Sequence, residues 1–140
     1  MKKTTDELLK SLKSKPTLDE FLNENEGELL FDTLTDWIEY HIIKKGLNKA
    51  DVVRESNLAR TYAYQIINGV KKPSRDKLIM LCFGLHLSLD ETQHLLKRNG
   101  YSELYPRDLR DSIIIFCILH GYKLIDANIM LEEKGMKILE

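Results

Sequence analysis

The sequence lacks three features that would place it in a specialised class of protein. Its longest apolar run, Ile113–Leu119, is seven residues, whereas a membrane-spanning helix needs about 20. The basic start, MKKTTDELLK, has no apolar stretch behind it, so no secretory signal is evident. Three prolines and seven glycines in 140 residues exclude a collagenous or low-complexity chain. We therefore expect a soluble, cytoplasmic protein without a membrane partner.

The sequence has only two cysteines, Cys82 and Cys117, and both lie within apolar stretches. In a reducing cytosol such residues are most simply small components of the core. A zinc site is the alternative, since His86 and His120 follow them closely and would complete four ligands. Both pairs fall inside predicted helices and lack the loop-borne spacing of common structural zinc sites. We therefore expect no metal and no other cofactor.

Catalytic motifs are also lacking. The sequence contains no phosphate-binding glycine loop and no paired carboxylates in a glycine-framed pocket. Each of its four histidines falls within a helical pattern, where a partly buried structural histidine is the simpler interpretation. We therefore expect no enzyme activity.

Positive charge is concentrated in one segment, although the net charge of the whole chain is -1. Residues 44–77 carry nine basic against three acidic side chains, a net charge of +6. Residues 1–43 carry -5, and residues 78–140 carry -2. Such a concentration is typical of a polyanion-binding surface, and an ordinary solvated face is the alternative on charge alone.

Helical periodicity extends through almost the whole sequence, and no segment shows the period-two alternation expected for strands. Thr17–Glu20 and Ser88–Glu91 are capping boxes, in which a hydroxyl and a glutamate each satisfy a free backbone N–H group at a helix start. The sequence therefore predicts an all-α protein. Its predicted helices begin at or near Leu8, Thr17, Thr33, Asn48, Arg60, Ser74, Ser88 and Pro106.

We divide the chain into three parts. Residues 1–30 form an acidic helical arm, residues 31–100 a central helical domain, and residues 101–140 a C-terminal helical segment. Because Ile113–Leu119 is apolar all round, we expect this helix to be buried on every side. The C-terminal segment either completes the core of one chain or forms a homodimer.

The central domain contains a tight turn, Ser56-Asn57-Leu58, between two short helices. A helix-turn-helix of this kind fits the major groove of duplex DNA. On the second helix, three apolar residues share one face and five polar residues the opposite face. Arginine and glutamine in the polar set can form paired hydrogen bonds with guanine and adenine edges. The apolar residues are Ala63, Ile66 and Ile67, and the polar ones are Arg60, Thr61, Tyr64, Gln65 and Asn68.

Residues 43–89 resemble the helix-turn-helix core of the Xre, or lambdoid phage repressor, family. The resemblance runs without a gap through Lys45-Gly46-Leu47, Asn68-Gly69 and Lys72-Pro73-Ser74. It ends in Phe83–Leu89, which is similar to the family's closing A-L-G-V-S-L pattern. It implies a repressor-like five-helix core, here with extra N-terminal and C-terminal helices. It also implies a transcription regulator, most simply a repressor, with a recognition helix near residues 60–68.

The resemblance further implies individual roles at the DNA. Base edges would be contacted by Arg60, Thr61, Tyr64 and Gln65. Phosphates would be contacted by Lys49, Tyr62, Asn68, Lys71 and Lys72. Tyr62 and Tyr64 could each contact either a base or a phosphate. The sequence departs from the family's usual residues at five positions, which are Lys49, Val53, Asn57, Ala59 and Ile67. Of these, Ala59 cannot cap the recognition helix, and Asn57 is able to adopt the left-handed conformation of the turn.

Two functions from different classes follow. The first is sequence-specific binding of double-stranded DNA, by a homodimer whose contact lies after Tyr105. The alternative is a repressor-like protein-interaction module, such as an antitoxin, an anti-repressor or a signalling adaptor. That module would bind a protein partner through the N-terminal or C-terminal helices.

Overall fold

The computed structural model describes residues 4–15, 17, 18, 20 and 33–140. Within this part of the chain all regular structure is helical, so the prediction of an all-α fold is confirmed there. The predicted helix from Thr17 to Gly27 lies largely outside the described residues. The helices are α1 (Thr5–Ser14), α2 (Leu34–Lys45), α3 (Lys49–Glu55), α4 (Arg60–Ile67), α5 (Arg75–Gly84), α6 (Leu89–Arg98), α7 (Leu109–Leu119) and α8 (Leu124–Glu133).

The chain divides into two compact units, residues 1–32 and residues 33–140. In the first unit, Thr4 is the N-cap of α1, and its side chain accepts a hydrogen bond from the backbone N–H of Glu7. None of the α1 residues is buried. The second unit contains α2 to α8 and, among the described residues, the whole hydrophobic core.

Local capping fixes most helix starts in the second unit. Thr33, Asn48 and Ser74 each accept a hydrogen bond from a backbone N–H in the first turn of the helix that follows. Ser88 and Glu91 form the predicted capping box in full. Helices α4 and α8 are the exceptions, because neither Ala59 nor Lys123 provides a side-chain cap.

The turn between α3 and α4 has the predicted left-handed residue. Asn57 adopts a φ of 56°, which asparagine tolerates better than most residues. The buried Ser56 hydroxyl donates a hydrogen bond to the carbonyl of Val53 at 2.7 Å and accepts one from the N–H of Leu58 at 3.4 Å. The side chain of Ser56 therefore stabilises the turn.

Gly84 allows α5 to lie close to α3. A Cβ atom at this position would lie 2.5 Å from the carbonyl oxygen of Val52 and 3.1 Å from Ser56. Both neighbouring atoms belong to or adjoin the backbone, so they cannot yield easily. Glycine is thus required by the close packing of these two helices.

Residues after 100 complete the core of the second unit. Ile114, Leu124, Leu131 and Leu139 are almost fully buried and belong to the same apolar cluster as the central helices. Helix α7 packs against α6, and α8 packs against both α5 and α7. The C-terminal segment is therefore part of this fold.

Within the chain α7 is buried on one side only, so the single chain does not provide the expected burial on every side. Ile114 and Cys117 are fully buried, but Phe116 is 43% exposed and Leu119 is 63% exposed. The reason is that α6 and α8 cover α7 on one side only. An apolar surface remains on the outer side of this helix.

The two cysteines are both free and buried. Burial raises the pKa of the Cys82 thiol to about 12 and also raises that of Cys117. Such thiols are inert components of the core. In the described part of the chain, no group of three or more histidine, cysteine, aspartate or glutamate side chains is placed to hold a metal ion. None of the described helices is long and apolar enough to cross a membrane.

Candidate nucleic-acid interface

Helix α4 has one fully buried face. Ala63, Ile66 and Ile67 have no exposed surface, and α4 packs against α2 and α3. These contacts fix the rotation of the helix about its axis. The polar face predicted from the sequence is consequently turned to solvent.

The polar side chains of α4 lie together on one surface. Arg60 and Thr61 are exposed, and Tyr64 and Gln65 are partly exposed. The guanidinium of Arg60 lies 5.9 Å from the ring centroid of Tyr64, so the arginine extends along the helix. A single shallow depression is lined by Arg60, Thr61, Tyr64, Gln65, Asn68 and Val70.

The start of α4 favours negative charge. Because Ala59 has no capping side chain, the N–H groups of the first turn lack a side-chain acceptor. Such groups, together with the helix dipole, favour a phosphate or carboxylate. Arg60 and Thr61 lie at this same end.

The segment from 44 to 77 has nine basic residues, but several are neutralised by carboxylates. Four of them form ion pairs, with the following nitrogen–oxygen distances: Lys45 with Glu91 at 3.0 Å, Lys49 with Glu39 at 2.8 Å, Arg54 with Asp51 at 2.8 Å and Arg75 with Asp111 at 3.0 Å. The others have no carboxylate of the described residues within 4.0 Å. They are Lys44, Arg60, Lys71, Lys72 and Lys77.

Loop 70–73, which follows α4, carries two of these unpaired cations. The N–H groups of Val70 and Lys71 both donate to the carbonyl of Gln65, at 2.8 and 3.2 Å, so the loop folds back on the end of α4. Lys71 and Lys72 are exposed. Their ammonium groups are thus free to contact an anion beside the polar face of α4.

Tyr101 supports this loop, a role that the sequence patterns did not predict. Its hydroxyl donates a hydrogen bond to the carbonyl of Pro73, and the ammonium of Lys72 lies 5.3 Å from its ring centroid. No local sequence signal connects Tyr101 with a loop that lies 28 residues earlier.

Lys49 and Tyr62 do not line the depression of α4. Lys49 forms its ion pair with Glu39 on α2, and both side chains are 38% exposed. An exposed pair of this kind contributes little to stability, so a phosphate can compete with Glu39 for the lysine. Tyr62 lies beside the ammonium of Lys77, which is 5.4 Å from its ring centroid.

Tyr62 belongs to a second depression, next to the turn that precedes α4. This surface brings together the turn, one cation and one carboxylate. It is lined by Asn57, Leu58, Ala59, Tyr62, Lys77, Met80 and Glu140.

Comparison of the chain with family models, with curated proteins and with solved structures found no match.

Proposed function

We propose that this protein binds duplex DNA by placing α4 in the major groove, and that it acts as a sequence-specific transcription regulator of the repressor type. The observation that carries the proposal is the shared surface of Arg60, Thr61, Tyr64, Gln65 and Asn68. A helix with a buried apolar back and an exposed polar front is the element that reads base edges in this groove.

The exposed polar face of α4 would recognise the bases. Arg60 and Gln65 have the donor and acceptor groups that form paired hydrogen bonds with guanine and adenine, respectively. Thr61 and Tyr64 lie between them on the same surface and add polar and apolar contacts. A few base pairs are within reach of such a helix.

Residues on either side of this face would contact the phosphates. Lys71 and Lys72 are exposed beside its C-terminal end and pair with no carboxylate of the described residues, and Asn68 lies at the C-cap. Lys49 would join them by leaving Glu39. Contacts of this kind fix the register of the helix on the duplex and make binding depend on salt.

A homodimer would extend the recognised site. One helix contacts too few base pairs for useful discrimination, and a two-fold dimer places two such helices about 34 Å apart on the duplex. The exposed apolar side chains on and beside α7 favour a contact there. They are Tyr105, Leu109, Phe116, Leu119 and Tyr122.

The same apolar surface favours the second candidate function, a repressor-like module that binds a protein partner. Exposed apolar patches on soluble domains commonly mark protein contacts. DNA binding is the better supported of the two, because the unpaired cations and the polar face of α4 serve no evident purpose in such a module.

A salt titration of the full chain tests the proposal. Binding to duplex DNA from the region upstream of its own gene is measured by fluorescence anisotropy at salt concentrations from roughly 50 to 300 mM. We expect affinity to fall steeply and linearly on a log–log plot. Absence of binding at the lowest salt, to this DNA and to random duplexes, would exclude the proposed function and favour the protein-interaction module.

A further inference from the structure

We infer that Tyr101 is a positioning residue of the DNA interface, which holds loop 70–73 so that Lys72 faces the phosphate backbone. The inference rests on the proposed function. It adds a residue that lies outside the helix-turn-helix, 33 positions after Asn68, the C-cap of α4.

Tyr101 is itself held firmly. It follows the C-terminal end of α6, where Gly100 adopts a φ of 81°. Its backbone N–H donates to the carbonyl of Leu96 at 3.0 Å, and its ring packs against the hydrophobic core. The ring is therefore a fixed support for the loop.

The loop is attached to this support at two points. The hydroxyl of Tyr101 donates to the carbonyl of Pro73, and Pro73 is buried. Just beyond it, the guanidinium of Arg75 donates to the carbonyls of Ser102 and Glu103, at 3.0 and 3.1 Å. Residues 101–103 thus hold the chain that connects α4 to α5.

The ring also restricts the side chain of Lys72 without neutralising it. An ammonium group over an aromatic ring is attracted by the ring's negative face and keeps its full positive charge. A carboxylate at the same place would compete with phosphate, as Glu39 does at Lys49. A lysine that is already ordered loses less conformational entropy on binding. Lys71, by contrast, has no ring or carboxylate contact in the described part of the chain.

The test is a double-mutant cycle in the full-length protein. Affinity for a random-sequence duplex is measured at several salt concentrations for the parent, Tyr101→Leu, Lys72→Ala and the double variant. We expect each single variant to bind about fivefold more weakly and to have a salt slope smaller by about one unit. The double variant is expected to bind no more weakly than Lys72→Ala, because Tyr101 acts through Lys72.

Tyr40→Leu is the matched control. It removes a partly exposed tyrosine of α2 whose ring centroid lies 5.5 Å from the ammonium of Lys44. Tyr40 is outside the residues assigned to the DNA interface, so the salt slope should not change. Urea unfolding of each variant identifies general destabilisation. If Tyr101→Leu does not fold, Tyr101→Phe carries the test, because it keeps the ring and removes only the hydrogen bond to Pro73. We expect it to bind about twofold more weakly in the parent background and equally well in the Lys72→Ala background.

Three results overturn the inference. Additive effects in the cycle show that Tyr101 acts independently of Lys72. A Tyr101 variant that folds and binds like the parent, while Lys72→Ala binds more weakly, overturns the positioning role and leaves the proposed function intact. Failure of the parent itself to bind any duplex overturns both.

Discussion

Asp111 of α7 accepts two hydrogen bonds from the guanidinium of Arg75 in α5, at 3.0 and 3.3 Å, across 36 positions of sequence. The side chains are 10% and 23% exposed. Oδ2 of Asp111 also accepts from the N–H of Tyr105 at 3.0 Å. In a second ion pair the arginine comes from α7 and the aspartate from α5. Arg110 donates two hydrogen bonds of 2.9 Å to Asp76. These paired contacts attach α7 to the helix that follows loop 70–73.

Replacing Asp111 by alanine should destabilise the fold. The change leaves the largely buried guanidinium of Arg75 without its carboxylate, and we expect the free energy of unfolding to fall by about 2–3 kcal/mol. Asp51→Ala is the control, since its pair with Arg54 is mostly exposed and should be worth about 0.5 kcal/mol. Urea unfolding measures both, and equal effects would contradict the structural role of the Arg75–Asp111 pair.

Arg60→Ala and Gln65→Ala should each relax sequence preference. We expect binding to the specific site to weaken by about 1–3 kcal/mol, because each change removes a paired hydrogen bond to a base edge. Binding to random duplexes should change much less. Competition binding with specific and random DNA measures the difference. Arg107→Ala, an exposed arginine outside this surface, should behave like the parent. Parent-like binding by both α4 variants would exclude base contact.

Lys71→Ala and Lys72→Ala should weaken binding to all sequences alike. Because each replacement removes one lysine from the phosphate backbone, each should reduce the salt slope by about 1. For Lys49→Ala we expect a smaller change, because that lysine exchanges Glu39 for a phosphate. Lys134→Ala, at the end of α8, controls for net charge. An unchanged slope in the variant without Lys49, Lys71 and Lys72 would place these lysines outside the interface.

The protein should be a dimer at micromolar concentration, and Phe116→Glu with Leu119→Glu should make it a monomer. Two carboxylates on the outer side of α7 cannot be buried against an apolar partner surface. Light scattering on the full chain measures the mass. Ile43→Glu is the control, since Ile43 is 78% exposed on α2 and its replacement should leave the dimer intact. A monomeric parent would rule out the dimer, and a dimeric double variant would place the contact elsewhere.

Acidification should destabilise the fold through His41, which is 4% exposed and lies 3.4 Å from Glu91. Burial lowers the pKa of His41 below 6.5, although Glu91 opposes this, and Lys45, Lys44 and His94 lower it further. The unfolded chain therefore binds more protons than the folded one as the pH falls below about 6.5. Stability is fully present above that pH and falls towards the lower pKa of the folded state.

Glu91 contributes to the stability of the fold in a separate and more acidic pH range. Burial alone would raise its pKa, but the hydrogen bond from Ser88 and the contact with Lys45 outweigh burial and hold the pKa below 4.5. Its contribution is present above pH 4.5 and disappears only below it. Thermal unfolding measured between about pH 7 and pH 5 should therefore report the contribution of His41 without that of Glu91. His41→Gln should reduce the dependence of stability on pH. His120→Gln should not, because His120 is exposed. A parent whose stability is constant over this range contradicts the prediction.

The starts of α2, α3, α5 and α6 and the two faces of α4 are properties of the sequence alone. Thr33, Asn48, Ser74 and Ser88 cap their helices through bonds to residues two or three positions ahead, and the faces of α4 follow from a repeat of 3.6 residues. Such interactions close within one helical turn, so the pattern of residue types is sufficient to predict them. The left-handed turn at Asn57 is local in the same sense.

Which cations are unpaired and which apolar side chains are exposed depends instead on the tertiary structure. The charge count of residues 44–77 could not show that Glu39 and Asp111, from outside that segment, pair with Lys49 and Arg75. Nor could it show that Tyr101 supports Lys72. On α7, seven apolar residues in a row predicted burial all round, yet Phe116 and Leu119 remain exposed. These outcomes depend on which helices meet and at what rotation, and packing between distant segments sets both.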